Sequence, residues 1–268
     1  MTIDAITTSA VGRGSRAGLG AMRRPLAWLV AWGALLALWQ VLAAALGPEL
    51  LPGLGAIVTQ GLPEVLALDY HSTLLTSMSQ MLVGFAIAAA VTIPLGALMG
   101  ASRVWNDLLQ PYAYGIYVTP REALLPLLII LFGTDASFRI AIVILFSAFF
   151  PLVNTAAGVS EVARGPLAEL ARSMCTSRWH YFASVLVPGA LPYVVAGVRL
   201  GLGMAFNGIV IAELWTSVGA GGALTSLASY RQLPEYFALA GLVAVLAITS
   251  YSLLGALERH LKVRFGQP

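Results

Sequence analysis

Residues 169–192 read ELARSMCTSRWHYFASVLVPGALP. Glu169, Arg172, Arg178 and His180 interrupt an apolar chain here, and Pro188 and Pro192 close the stretch. Long apolar segments stand on both sides. How this polar piece joins them decides the fold.

Composition sets the solvent. Only 10% of the 268 residues are charged, 59% are hydrophobic, and the mean hydropathy is +0.84; a soluble domain carries about 25% charged residues. The chain belongs in a bilayer. Its 14 arginines and one lysine lie almost wholly between apolar segments rather than on a basic face, which excludes nucleic-acid binding as a function. Cys175 is the sole cysteine, so no intramolecular disulfide forms, and three scattered histidines offer no metal-ligand spacing.

A bilayer core takes about 20 mostly apolar residues per helix. Six segments meet that length: Leu26 to Leu46, Leu74 to Met99, Leu108 to Phe132, Phe138 to Val159, Tyr193 to Trp215 and Tyr236 to Leu257. None shows the alternation of a strand, so an all-α membrane protein with six transmembrane helices is expected. The third segment is the least regular, because Pro111, Pro120 and Pro126 break it and Arg121 and Glu122 stand inside it.

Basic residues orient the chain. Arg13, Arg16, Arg23 and Arg24 precede the first segment, and Arg259, Lys262 and Arg264 follow the last, so both termini are expected in the cytoplasm. The connection from Gly47 to Thr73 carries Glu49, Glu64 and Asp69 with no Arg or Lys, as an external loop would, while Arg103, Arg164, Arg172 and Arg178 fall in the internal connections. The first segment also resembles a secretory signal ending in AAAL. At nearly 20 residues, with Trp28, Trp32 and Trp39 in it, it exceeds a signal's apolar region of about 7–15 and reads as an uncleaved helix. The expected division is a disordered cytoplasmic tail at 1–22, the first helix and external loop at 23–70, a transmembrane core at 71–260 and a cytoplasmic tail at 261–268. Within the core, residues 160–191 form a cytoplasmic loop between helices 4 and 5.

That loop is long for a bundle connection. Pro166 suits a first helical position, and Leu167, Leu170, Ala171 and Met174 recur at helical spacing. Ser177 is a plausible N-cap for a second short helix with Trp179, Phe182, Ala183 and Leu186 along one side, which Pro188 would end. Pro192 could then start the fifth transmembrane helix. Periodicity alone leaves two readings: helices resting at the headgroup boundary, or a dock for a partner.

Residue order resembles the second. The pattern EAA, three residues, G, nine residues, I, one residue, LP is the cytoplasmic loop motif of bacterial ABC importer permeases. Glu169 takes the Glu position, Leu170 and Ala171 the two Ala positions, Cys175 the Gly position, and Val185, Val187 and Pro188 the closing ones. Cysteine in place of glycine departs from the pattern, and a right-handed turn there would accommodate it. MLVGFAIAAAVTIPLGALMG (81–100), PREALLPLLIILFG (120–133), SRWHYFASVLVPGALPYVVAGVRLGLGMAF (177–206) and AELWTSVGAGG (212–222) are similar to the nitrate, sulfonate and taurine branch of these permeases. The resemblance implies a permease subunit in the plasma (inner) membrane, paired with a second permease subunit as a homodimer. Two copies of an ABC ATPase would dock on the coupling loop, and an external or periplasmic solute-binding protein would deliver a small anionic solute. It also implies Glu169, Ala171, Arg172, Cys175, Thr176 and Arg178 as ATPase-coupling residues, with Leu167, Met174, Trp179 and Phe182 anchoring the loop to its own bundle.

ATP and Mg²⁺ would bind the partner ATPase, with no cofactor in this chain. A phosphate-binding loop of the form GxxxxGK[ST] needs a lysine in a glycine-rich context, and Lys262 lies between Leu261 and Val263. Charges within membrane segments usually face a cavity or a partner. Arg121 and Glu122, between two prolines, are candidates for the translocation path unless their segment begins nearer the surface. Asn207 is a third, although an interhelical hydrogen bond explains it as well. Arg199 reads as snorkelling to a nearby helix end, and Glu213 as an interfacial or loop contact. SVGAGGAL (217–224) would be an external loop or re-entrant segment. The alternative function, an ion-coupled secondary transporter or channel, would favour two similar halves, and no convincing internal repeat stands in the sequence.

Overall fold

The computed structural model describes residues 14–67 and 70–264, apart from the side chains of 14–26, Leu167, Arg172, Leu257 and 261–264. Among the described residues there is no strand. The helices in chain order are α1 (Gly14–Leu46), α2 (Leu54–Ala67), α3 (Tyr70–Ala101), α4 (Arg103–Val118), α5 (Arg121–Phe132), α6 (Ala136–Arg164), α7 (Pro166–Ser173), α8 (Arg178–Thr216), α9 (Gly219–Ser229) and α10 (Leu233–Arg264). Five of these, α1, α3, α6, α8 and α10, are long and apolar enough to cross a membrane, and α4 with α5 supplies a sixth crossing if the pair counts as one. The expected all-α membrane architecture is present.

Three expectations about boundaries change. First, the third segment is not a straight span: α4 and α5 meet at 91°. Thr119 and Pro120 both take extended backbone at the corner, because the Pro120 ring disfavours helical geometry in the residue before it. Second, Pro188 does not end a short helix. Residues 178–216 form one helix of 39 residues, with a π turn at Phe182–Leu186 in which the Val187 amide donates to the Phe182 carbonyl. The wider turn relieves the contact a proline makes with the carbonyl four residues before it. Third, helix occupies much of what was expected to be loop or tail: α1 begins at Gly14, α2 lies within the Gly47–Thr73 connection, and α9 fills most of SVGAGGAL. Residues 1–13 and 265–268 of the two expected tails lie outside the described residues.

Helix α6 is the centre, with α3 and α8 packed closely along it. Association between helices in lipid relies on tight packing rather than on a hydrophobic drive, and glycines permit it here. A methyl group at Gly100 of α3 would collide with the Ala156 carbonyl of α6, and one at Gly197 of α8 would stand 2.7 Å from Asn154 Cβ and 2.9 Å from the Phe150 carbonyl. The small residues Gly197, Gly201 and Gly208 of α8 therefore pack within the subunit. Above these approaches Met81, Phe85, Val143, Leu202, Ala205, Phe206 and Ile209 form one buried cluster, and Leu125, Phe138, Ile142, Phe146 and Ala212 join α5 to the same helices. By contrast, α1 is almost wholly exposed and is tied down near its end, where Trp39 Nε1 donates to the Pro52 carbonyl and stacks edge-on against Phe237.

Arg199, expected to reach a nearby helix end, finds its partner near the end of another helix. It pairs with Glu258 of α10 at 2.8 Å and lies over the Tyr251 ring, 4.8 Å from its centre. Removing one member of a buried pair is far costlier than replacing both. Arg199→Met is therefore expected to destabilise the detergent-solubilised protein by about 3–5 kcal/mol, and Arg199→Met with Glu258→Met to recover most of it. Equal thermal shifts in the single and double variants would disprove the pairing.

Candidate functional site

The polar loop is built as a helix, a left-handed corner and a capped helix start. Helix α7 buries Ala168 and Ala171 and exposes Glu169, Leu170 and Ser173. At its end the Met174 amide donates to the Leu170 carbonyl, and the Thr176 amide to the Ala171 carbonyl at 3.1 Å. Between them Cys175 has φ +50. This is a Schellman closure, whose turning residue is usually glycine. The right-handed turn that would accommodate a cysteine is thus not adopted: the corner keeps the conformation that glycine would supply. Ser177 caps α8 as expected, its Oγ accepting from the His180 amide at 3.3 Å.

The anchoring side of this loop differs from the expectation. Met174 is 71% exposed and Trp179 75%, so these two do not hold the loop to its bundle, whereas Phe182, 45% exposed, lines a groove together with Ile93 and Val159 of the bundle. The buried alanines seat α7, and small residues let it lie close. Thr176 and Arg178 line a cleft between α7 and the bundle, together with Ala163, Ala168, Ala171 and Tyr181. The side chains of Leu167 and Arg172 lie outside the described residues.

Within the bundle, Arg121 braces the α4–α5 corner. Its Nη1 donates to the Phe146 carbonyl of α6 at 2.9 Å, and its guanidinium stands 4.9 Å from the Phe146 ring centre and 5.6 Å from that of Tyr117. Glu122 beside it is exposed. Asn207 makes no interhelical bond in its described contacts: its amide reaches Met204 Sδ at 3.8 Å on its own helix, and the residue is exposed.

Two polar clefts, each about 230 Å³, lie at opposite ends of α6. One, at the start of α6, is lined by Ser72, Thr73, Thr76 and Gln80 of α3, Arg139 of α6 and Glu213 of α8. Arg139 Nε donates to Gln80 Oε1 at 2.6 Å and its Nη1 to the Thr134 carbonyl at 3.2 Å, which fixes the guanidinium. Glu213, 1% exposed, makes the second of its two expected contacts, to the 217–224 segment: its Oε2 accepts from the Gly221 amide at 3.0 Å, Ser77 bonds its carboxylate, and the Ala220 amide donates to Ser77 Oγ. The carboxylate thus holds the first turn of α9 onto α8 and α3. The other cleft is lined by Asn106, Gln110 and Tyr114 of α4 with Ser160 and Arg164 of α6. Arg139 and Ala157, one in each cleft, are 18 residues or about five turns apart and so share a face of the helix.

Arg139 was missed in the sequence because it stands near a helix end, where a basic residue invites no question. A sequence signal existed: Gln80, like Arg139, is a polar residue bordering an apolar run. Their pairing spans 59 positions and is a property of the fold.

A multi-pass bundle with an amphipathic loop helix and polar clefts defines a membrane permease. Residues 92–263 match the family of the binding-protein-dependent transport system inner membrane component. The putative aliphatic sulfonates transport permease of Bacillus subtilis is 32% identical over 85% of this chain and 83% of its own. The nitrate import permease of Synechococcus elongatus is 28% identical over 83% of this chain and 87% of its own. A crystal structure of an amino acid ABC transporter with histidines shares the fold, with a TM-score of 0.60 over 71% of this chain and 93% of that one, at 19% identity. The chain belongs to this ABC permease family, in its nitrate and sulfonate branch.

A β-carbon in the left-handed region costs roughly 1–2 kcal/mol. Cys175→Gly is expected to stabilise the corner by about 1 kcal/mol, read as slower hydrogen exchange of the Thr176 amide. Unchanged or faster exchange would contradict the strained cap.

Proposed function

We propose that this chain is the membrane subunit of an ATP-driven importer, in which two copies form the path for a small anionic solute of the nitrate, sulfonate or carboxylate kind. A binding protein delivers the solute on the outer side, and two ATPase subunits, holding ATP and Mg²⁺, drive alternating access from the cytoplasm. The observation that carries this reading is the loop: α7 turns buried alanines to the bundle and Glu169 outward, and its capped corner leads directly into a 39-residue helix. A partner pressing on α7 would therefore move α8 as a rigid body. Glu169 and Arg172 are assigned to the ATPase contact, Ala171 to seating the helix, and Cys175 to turning the chain. Thr176 and Arg178 support the corner from behind.

The basic residues that flank the spans support a cytoplasmic loop and cytoplasmic termini. The cleft of Arg139 then opens outward and that of Arg164 inward, and the two serve as the ends of the path. An arginine fixed by Gln80 and the Thr134 carbonyl suits an anion, since its remaining N–H donors present a planar fork to an oxyanion. Arg121 and Glu122 act at the α4–α5 corner beside this path, and Asn207, exposed on α8, faces the second subunit or the path itself. The nitrate and sulfonate named for the two relatives fit such a site.

Two experiments test the assignment. Glu169→Arg is expected to reduce co-purification of the ATPase by at least about tenfold, the effect of some 1.4 kcal/mol, with membrane insertion intact; full association in the variant would refute the dock. Arg139→Gln is expected to lower solute uptake in proteoliposomes at unchanged ATPase association. Wild-type uptake would remove Arg139 from the path.

A further inference from the structure

A cavity of about 630 Å³ lies between α3, α6 and α8 on the α7 side of the bundle, and its character differs from that of the two clefts. Ile93, Pro94 and Leu98 of α3 form one wall, and Phe182, Val187 and Leu191 of α8 another. Among the described residues Thr155 is the one polar side chain along it, and its hydroxyl, in a residue 1% exposed, has no hydrogen-bond partner. Water needs two to four polar partners to occupy a cavity stably. One hydroxyl cannot supply them. The volume falls within the range of about 300–1,000 Å³ typical of ligand sites, and the walls belong to membrane spans, so the natural occupant is hydrocarbon.

The cavity does not end apolar. Ala101 and Leu186 also line the cleft of about 350 Å³ behind α7, where Thr176, Arg178 and Tyr181 stand. Among the described residues, no acidic side chain lines that cleft. Together the two make one groove, apolar at depth and cationic at its mouth, and the π turn at Phe182–Leu186 places both Phe182 and Leu186 along it. We infer that this groove binds one anionic glycerophospholipid, with an acyl chain in the apolar part and the phosphate at Arg178, Thr176 and Tyr181.

Helix α1 of a second copy is the competing occupant. Its segment from Trp28 to Leu46 is apolar enough for the trough, but it carries no acidic residue to meet Arg178, and the residues before it include Arg13, Arg16, Arg23 and Arg24. Like charges would then meet at the mouth, whereas an anionic headgroup complements it. Because the lipid touches both the corner of the loop and the start of α8, it braces the junction between α7 and the bundle.

Native mass spectrometry of the full chain in mild detergent, with phosphatidylglycerol and phosphatidylcholine offered as probes, tests this directly. One phosphatidylglycerol per chain is expected to survive, at least tenfold in preference to phosphatidylcholine. Ala97→Trp, which fills the trough, is expected to abolish retention, and Arg178→Gln to erase the headgroup preference while leaving the fold unchanged by circular dichroism. Equal retention of both lipids by the wild type, or no retention, overturns the assignment. So does cross-linking of a cysteine at position 97 to α1 of a second copy, or an Arg178→Gln variant that keeps its preference. These readouts need no ATPase, so they stand or fall apart from the importer reading.

Discussion

The close approach of α3 and α8 to α6 is the constraint on which the remaining structure depends. In lipid, helices gain little by hiding apolar surface from one another, so the bundle needs contacts close enough for backbone and side chain to interlock. Gly100 meets the Ala156 carbonyl, and Gly197 and Gly201 lie against Asn154, Pro151 and the Ser147 carbonyl. With α6 held between two partners, Arg139 and Arg164 stand near its ends, each lining a polar cleft. Bulkier residues at those glycines would separate the helices that make both clefts.

The second consequence concerns α8. It starts at the corner of the loop, passes the glycine contacts and carries Glu213 in its last turn, where the carboxylate accepts from the Gly221 amide of α9. One continuous helix therefore joins the loop to the opposite end of the bundle. In the proposed importer, this helix carries displacement of α7 to the cleft of Arg139, over a length of about 58 Å for 39 residues. The Arg199–Glu258 pair fastens α10 to its middle, so α10 moves with it.

Much of this architecture was legible in the sequence because a bilayer demands long apolar runs, and such runs are hard to hide. The Ser177 cap was legible for the same kind of reason: a small polar residue before an amphipathic stretch has few other uses. Pro188 misled because its effect depends on the turn before it, and a π turn accommodates the ring that an α turn would not. The corner between α4 and α5 lay within reach, since three prolines marked the segment, but its 91° angle is set by the extended pair Thr119 and Pro120 and by Arg121 bonding the Phe146 carbonyl. Arg139 was missed because its partner Gln80 stands on another helix, 59 positions away. At Cys175 the residue type left the hand of the corner open, and the backbone keeps the left-handed closure that a glycine would supply.

The central claim is that the outer face of α7 is covered by an ATPase. Cys175 is exposed at the corner of that loop and is the sole cysteine of the chain, so the native protein carries its own probe. The most direct measurement is the rate of maleimide labelling of Cys175 in membrane vesicles, with and without the cognate ATPase subunits. Docking on the loop requires labelling to slow by at least tenfold when the ATPase is present and to recover when it is stripped away. Labelling at the same rate in both conditions, with ATPase bound elsewhere on the chain, would contradict it.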